Sequence, residues 1–419
     1  MRILIHGINF SPELTGIGKY SGEMAEWLAE QGHDVRVVTA PPYYPQWKLA
    51  EGYKNKWLRE SPTIANLLVY RCPLWVPVKP SGLKRIIHLA SFALSSFPIM
   101  LTQIFWKPDV VWVVEPALFC APQAWLVACL SGAKAWLHIQ DYEVDAAFDL
   151  GLLKGAFLHN AVAAGERWLM RRFDRVSTIS QRMVARALTK VVVAERVLLF
   201  PNWVDLSAFK VQQSSLPSTA DVSSYRSELG IADDAVVALY SGNMGGKQGL
   251  EILAEVANLC KPKVVLVFCG QGAGRADLMA LCQGLTNVRF LDLQPLARLA
   301  EFLAMADLHL LPQRADAADL VMPSKLTGML ASARPVVATA QLGTELANVV
   351  AGCGLVVEPE NATAFAEAIN KLASSPELRA ELGAAGLLYA QTHLDKASVL
   401  AKFEAELLKL INNKVMPRV

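Results

Sequence analysis

Val236 to Gly249 reads VVALYSGNMGGKQG, an unbroken apolar run emptying into a turn that carries four glycines. A strand covered by helices on both faces needs such a run, and Val236, Val237, Ala238, Leu239 and Tyr240 supply it. Gly242, Gly245, Gly246 and Gly249 then allow a tight turn with uncovered amides, and Leu250, Ile252, Leu253 and Val256 predict a helix behind it. Free N–H groups at a helix start favour an anion, and Lys247 adds a point charge, so a phosphate is the natural guest. The spacing is not that of a P-loop, because no GxxxxGK followed by Ser or Thr occurs and Gln248 succeeds Lys247. A structural turn with a solvated lysine is the competing reading.

Working outward, the same strand-and-helix rhythm fills both halves of the 419 residues. Arg2 to Ile8, Val35 to Thr39, Val110 to Val114, Ala135 to Ile139 and Arg175 to Ile179 read as strands before the turn Pro201 to Asp205. Lys263 to Cys269, Val288 to Leu291, Leu308 to Leu311, Pro335 to Ala338 and Leu355 to Val357 repeat the pattern after Val236. The expected class is α/β, with two Rossmann-like domains facing a central cleft. The expected division is 1–205 for a first domain with membrane-facing helices, 206–390 for a second, and 391–419 for a closing helix that braces the first.

A composition of 53% hydrophobic and 19% charged residues is that of a folded protein, and a formal charge of +2 gives no electrostatic case for nucleic acid. Seven scattered cysteines without CxxC or zinc spacing fit a reducing compartment and no structural metal. Met1 to Phe10 is strand-like and lacks a cleavage motif, which argues against a secretory signal. Ile86 to Trp106 carries no Asp, Glu, Lys or Arg and is flanked by Lys84, Arg85 and Lys107. Its length would span a bilayer, but its place between two strands of one sheet favours a helix pair laid on a membrane surface. The Pro41 to Gly52 turn with Lys48, Lys54, Lys56, Trp57 and Arg59 suits a membrane interface or an acceptor loop.

The loop Asn9 to Gly18 holds PELTGIG, whose Gly16 and Gly18 let a substrate approach the backbone, or simply make a tight turn; it is not the GxGxxG of a dinucleotide enzyme. His138 and Asp141 fall at a strand's carboxyl end, where ligands of open α/β sheets gather. His138 could bond a sugar hydroxyl or be a satisfied core histidine; Asp141, with Glu143 and Asp145, could orient an acceptor hydroxyl or form a solvated acidic loop. Pro323 and Ser324 predict a capped helix over Lys325 to Ala333, a second anion cradle with Lys325. Asp316 and Asp319 precede it and could accept from a sugar hydroxyl.

In order and spacing, PELTGIGKYSGEMAEWLAEQGHDV, HIQD, PNWVD, SGNMGGKQG and PSKLTGMLASARPVVAT resemble the retaining glycosyltransferases of family 4, of the GT-B fold, along the whole chain. The resemblance implies a nucleotide-sugar donor, no cofactor and no required metal. It assigns Gly16 and Gly18 to the donor border, His138 to the transferred sugar, and Lys247 with the Gly242, Asn243 and Gly246 turn to the donor diphosphate. Asn243 stands where the family more often has arginine. The family's paired glutamates fall on Leu320 and Gly328, so Asp316, Asp319 or Glu345 would have to replace them. It further implies GDP-fucose as donor, an undecaprenyl-diphosphate-linked glucose as acceptor, and a cytoplasmic enzyme peripheral on the inner face of the membrane. A non-hydrolysing nucleotide-sugar epimerase and a non-catalytic lipid-linked glycan scaffold are the alternatives.

Overall fold

The computed structural model describes residues 1–14, 16–78, 82–115, 118–142, 156–190, 192–209, 225–245, 248–315 and 323–412. The chain divides into two compact units, Met1–Pro201 with Leu400–Val419, and Asn202–Val399.

The first unit is built on eight strands: β1 (Arg2–His6), β2 (Asp34–Thr39), β3 (Leu58–Glu60), β4 (Leu67–Arg71), β5 (Val110–Glu115), β6 (Lys134–Ile139), β7 (Arg175–Thr178) and β8 (Val197–Leu199). Their order is β3-β4-β2-β1-β5-β6-β7-β8, parallel except for β3 against β4. Order reverses between β1 and β5, which makes that junction a topological switch point. Helices α1 (Gly16–Glu30), α2 (Gly82–Thr102) and α3 (Ala121–Ser131) belong to this unit. Ile3, Leu4, Ile5, Val111, Val113 and Leu137 are almost fully buried, as a sheet covered on both faces requires. Phe403, from the C-terminal helix, stacks on Phe200 at 4.4 Å and meets the Trp136 ring edge-on at 5.0 Å. His33 Nε2 and Glu404 Oε1 lie 2.7 Å apart and fasten the same helix to the end of α1.

The second unit holds β9 (Val236–Ser241), β10 (Val264–Cys269), β11 (Val288–Leu291), β12 (Leu308–Leu311), β13 (Val336–Thr339) and β14 (Gly354–Val357). The sheet is parallel in the order β11-β10-β9-β12-β13-β14, so counting from β9 it is the 3-2-1-4-5-6 sequence of a dinucleotide-type fold. The switch point falls between β9 and β12. The opening strand therefore delivers its turn to the place where ligands of such sheets bind. Helices α4 (Ile252–Leu259), α5 (Lys325–Ala331) and α6 (Glu345–Ala351) follow β9, β12 and β13.

Two sequence expectations need correction. The apolar span is one helix, α2, with a single-turn 3-10 extension at Gln103–Trp106, not a helix pair; Pro98 is accommodated inside it. The loop after β1 ends sooner than expected, because α1 begins at Gly16 and takes both Gly16 and Gly18. Strands β3 and β4 fill a stretch for which the sequence reading predicts no element: β3 is mostly exposed and carries no apolar run, and β4 buries alternate residues between β2 and β3.

Candidate active site

In the second unit the site grows from the turn after β9. Gly242 adopts φ +138°, open to glycine alone without strain. A Cβ on Gly242 would come within 3.4 Å of Lys325 Cδ. Lys325 opens α5 half-buried, and its Nζ lies 4.2 Å above the Tyr240 ring and 3.0 Å from Tyr240 Oη. Tyr240 O–H donates in turn to the Asn243 carbonyl at 2.6 Å, which leaves Oη able to accept from the ammonium. Burial, with no carboxylate partner among the described residues, pulls the Lys325 ammonium down to about 7. An anion entering beside Gly242 would restore the charge it lacks.

The turn is less open than its glycines suggest. Gly242 N–H donates to the Cys269 carbonyl at 3.0 Å, Met244 N–H to the Gln271 carbonyl at 2.9 Å, and Gly245 N–H to Gln248 Oε1 at 2.9 Å. The expected row of uncovered amides is thus occupied at these positions, because the β10 loop folds against the turn. Gly272 makes that approach possible: a Cβ there would stand 2.7 Å from the Met244 carbonyl carbon. Ser324 does not cap α5: it has helical φ and ψ, and its side chain makes no cap hydrogen bond. The helix also ends at Ala331, short of Ala333. Gly328 lies on the face of α5 turned to Leu303 Cδ1, 3.1 Å from where a Cβ would sit.

Arg314, which sequence reasoning missed, follows β12 across the switch point and packs its Cγ against Gly249. Its Nη1 lies 3.4 Å from Glu251 Oε1. Strand order is the signal that could have found it, since the end of β12 adjoins the end of β9. Glu345 starts α6 behind Thr344, whose Oγ1 accepts from Ala347 N–H at 3.2 Å. Its carboxylate faces Tyr389, whose hydroxyl is raised chiefly by burial and secondly by that charge. Lys247, Gly246, Asp319 and Asp316 lie outside the described residues.

In the first unit His138, the last residue but one of β6, is only 1% exposed, between Trp112, stacked at 5.3 Å, and Phe200 at 5.2 Å. Gln140 Nε2 lies 3.0 Å from His138 Nε2, and Ser177 Oγ 2.8 Å from Nδ1. With the amide donating, Nδ1–H donates to Ser177 Oγ, which also accepts the Trp136 indole N–H at 2.8 Å. Burial pushes the imidazole down to about 3, so it is neutral at physiological pH. Asp141 follows, half-buried, two residues beyond the strand end; Glu143 and Asp145 lie outside the described residues.

The loop after β1 is organised by Glu13, a second residue sequence reasoning left unassigned. It is buried, and its carboxylate accepts from Tyr43 N–H and Tyr44 N–H, both at 3.0 Å, and from Asn9 Nδ2 at 2.9 Å. Burial still outweighs these bonds and raises its carboxyl. Gly18 is buried against Glu13, where a Cβ would lie 2.6 Å from the Glu13 Cβ. Gly16, with φ +61°, faces Tyr44. Arg71 closes the loop from β4 by donating to the Ala40 and Ser11 carbonyls at 3.1 and 2.6 Å.

On the same unit, α2 with its extension, Gly82–Trp106, is by length and composition apolar enough to cross a membrane, with 28% of its most apolar window buried. It borders α3 across an apolar groove of about 400 Å³ lined by Leu94, Phe97, Phe119, Pro122 and Leu126 among others.

Two Rossmann-like sheets in one chain, the first parallel apart from β3 and the second parallel throughout, are the architecture of the GT-B fold. Residues 15–203 match the glycosyl transferase 4-like domain, and residues 221–388 match glycosyl transferases group 1. The chain is 46% identical over 413 residues to the colanic acid biosynthesis glycosyl transferase WcaI of Escherichia coli (strain K12), covering 96% of this chain and 98% of that one. The chain belongs to this glycosyltransferase family. Among solved structures, sucrose-phosphate synthase from Thermosynechococcus elongatus shares the fold at TM-score 0.76 and 17% identity, over 99% of this chain and 100% of that chain. WaaG, a glycosyltransferase involved in lipopolysaccharide biosynthesis, does so at TM-score 0.67 and 19% identity, over 98% and 100% of the respective chains.

Proposed function

We propose that this glycosyltransferase moves a sugar, fucose from GDP-fucose, onto undecaprenyl-diphosphate-linked glucose with retention of anomeric configuration, in colanic acid assembly. The observation that carries the reading is the Lys325 ammonium held over Tyr240 beside Gly242, at the switch point of the second sheet. A half-buried ammonium with no carboxylate partner among the described residues suits a diphosphate, whose charge grows as the glycosidic bond lengthens. Lys247 is the second cation in this proposal and Arg314 the third, compensating for Asn243 where the family more often has arginine. Relatedness to WcaI supports the pathway, and GDP-fucose is the donor that the resemblance of the sequence motifs implies.

Contact of His138 with the transferred sugar would require Gln140 to leave its Nε2 to a sugar hydroxyl. Asp141 would orient the acceptor hydroxyl, and Glu345 is the carboxylate retained for the donor among those described. Ser324 would contribute only backbone, since its hydroxyl caps nothing. No metal is required in this account. The sugar stereochemistry is tested by NMR of the product, where a retained anomeric coupling is expected and an inverted one removes the retaining mechanism.

We further propose that the enzyme works at the inner face of the cytoplasmic membrane through α2. Leu83, Leu94 and Phe105 are 70%, 76% and 88% exposed, and Lys84, Arg85 and Lys107 flank the apolar run. Such a pattern suits an anionic lipid surface. Leu94→Glu combined with Phe105→Glu is expected to lower sedimentation with phosphatidylglycerol vesicles about tenfold or more. Unchanged sedimentation would remove the membrane contact.

A further inference from the structure

Trp47 has φ +53°, a left-handed conformation that a bulky side chain adopts only when its surroundings impose it. Its turn is closed by Lys48 N–H on the Tyr43 carbonyl at 3.2 Å and Ala50 N–H on the Pro42 carbonyl at 2.8 Å. The strain directs the indole into a cluster of rings. Trp47 lies 5.2 Å from the His88 imidazole and 5.7 Å from the Tyr43 ring, which are themselves 4.8 Å apart. Arg85, exposed on α2, stands over the indole at 5.5 Å and has no carboxylate partner among the described residues.

His88 supplies the second observation. It is 1% exposed, and its Nδ1 lies 2.6 Å from the Trp75 carbonyl, which only accepts. Nδ1 therefore carries the proton, and Nε2 presents a lone pair. That buried Nε2 has no hydrogen-bond partner among the described residues. An unpaired buried acceptor is costly, and a hydroxyl is the group that would satisfy it.

We propose that Tyr43, Trp47, Arg85 and His88 form the subsite for the sugar ring of the acceptor, a saccharide carried on phosphate. The C–H face of a pyranose packs on the aromatic rings, a sugar hydroxyl donates to His88 Nε2, and Arg85 donates to the ring oxygens or the attached phosphate. The subsite is anchored to the loop after β1, because Glu13 holds the Tyr43 and Tyr44 amides and Tyr44 faces Gly16. This inference rests on the proposed transferase reading and goes beyond it by naming what holds the acceptor.

Trp47→Gly and Arg85→Ala test it in the full chain. Glycine suits φ +53° and leaves the turn unstrained, so the fold should survive while the aromatic wall is lost. In both variants the KM for the lipid-linked glucose acceptor is expected to rise about tenfold, with the donor KM within about twofold of the parent. In equilibrium dialysis, glucose 1-phosphate should bind the parent and bind both variants about tenfold more weakly. An unchanged acceptor KM, a donor KM rising in step, or dialysis that ignores both substitutions would overturn the subsite. Dialysis that depends on Trp47 and Arg85 in a protein that glycosylates no lipid-linked saccharide would keep the subsite and remove the transferase reading instead.

Discussion

Lys325→Ala is expected to weaken nucleoside diphosphate binding by roughly 10- to 100-fold, the loss of one or two charge-assisted hydrogen bonds in a half-buried site. The fold should hold, because Tyr240 keeps its bond to the Asn243 carbonyl without the lysine. The pH dependence separates this role from a packing role. Lys325 is held at about 7 by burial, so it is charged below that pH and loses its proton as pH rises through it. A bound diphosphate favours the charged form and raises the pKa. Affinity is therefore full below pH 7 and falls above it in the parent, and the fall is absent in Lys325→Ala. Calorimetry with GDP between pH 6 and pH 9 measures both. Equal affinities for parent and variant, or parallel pH profiles, would take Lys325 out of the donor site.

Mild acid is expected to loosen the first unit more steeply than the second. His6 and His138 in the first unit and His309 in the second are each pushed down to about 3 by burial. The unfolded chain protonates a histidine near 6.5, whereas these three stay neutral in the native state until about 3. Their contribution is complete above pH 6.5 and is lost as pH falls through the window toward 3, at about 1.4 kcal/mol per pH unit for each. His88, also lowered by burial, adds to the first unit, and Glu13, with its raised carboxyl, opposes by at most one proton. Lys325, at about 7, is mostly protonated at pH 6.5 and almost wholly so by pH 5.5, so it adds only a small slope at the top of the range. Hydrogen exchange between pH 6.5 and 5.5 should show protection falling faster in β1 and β6 than in β12. Equal loss in the two units would contradict the assignment of these histidines as buried and neutral.

Much of this was legible in the chain itself, and the exceptions have physical causes. The apolar run Val236 to Tyr240 declares a strand covered on both faces, and it lies at the centre of its sheet. Lys325 is singled out because it opens a helix predicted from Pro323 and Ser324, and the fold sets it beside Tyr240 and Gly242. Its cradle was misread: Ser324 looks like a cap but is already helical, and Gly245 looks open but is bonded to Gln248. Those are matters of a few torsions, which residue type alone does not determine. Arg314 and Glu13 go unassigned in the sequence for another reason, and Trp47 is read there only as part of the Pro41 to Gly52 turn. Arg314 becomes relevant only through strand order, Glu13 through burial under Tyr43 and Tyr44, and Trp47 through a backbone conformation that residue preference argues against.

The central claim is coupled transfer from a nucleotide sugar to a lipid-linked saccharide. Purified protein incubated with GDP-fucose and undecaprenyl-diphosphate-linked glucose, read by nucleotide chromatography and lipid mass, tests it most directly. One GDP released for each lipid molecule that gains a deoxyhexose is the predicted result. Consumption of the nucleotide sugar without acceptor and without lipid mass gain, or no consumption of any nucleotide sugar offered, would contradict it.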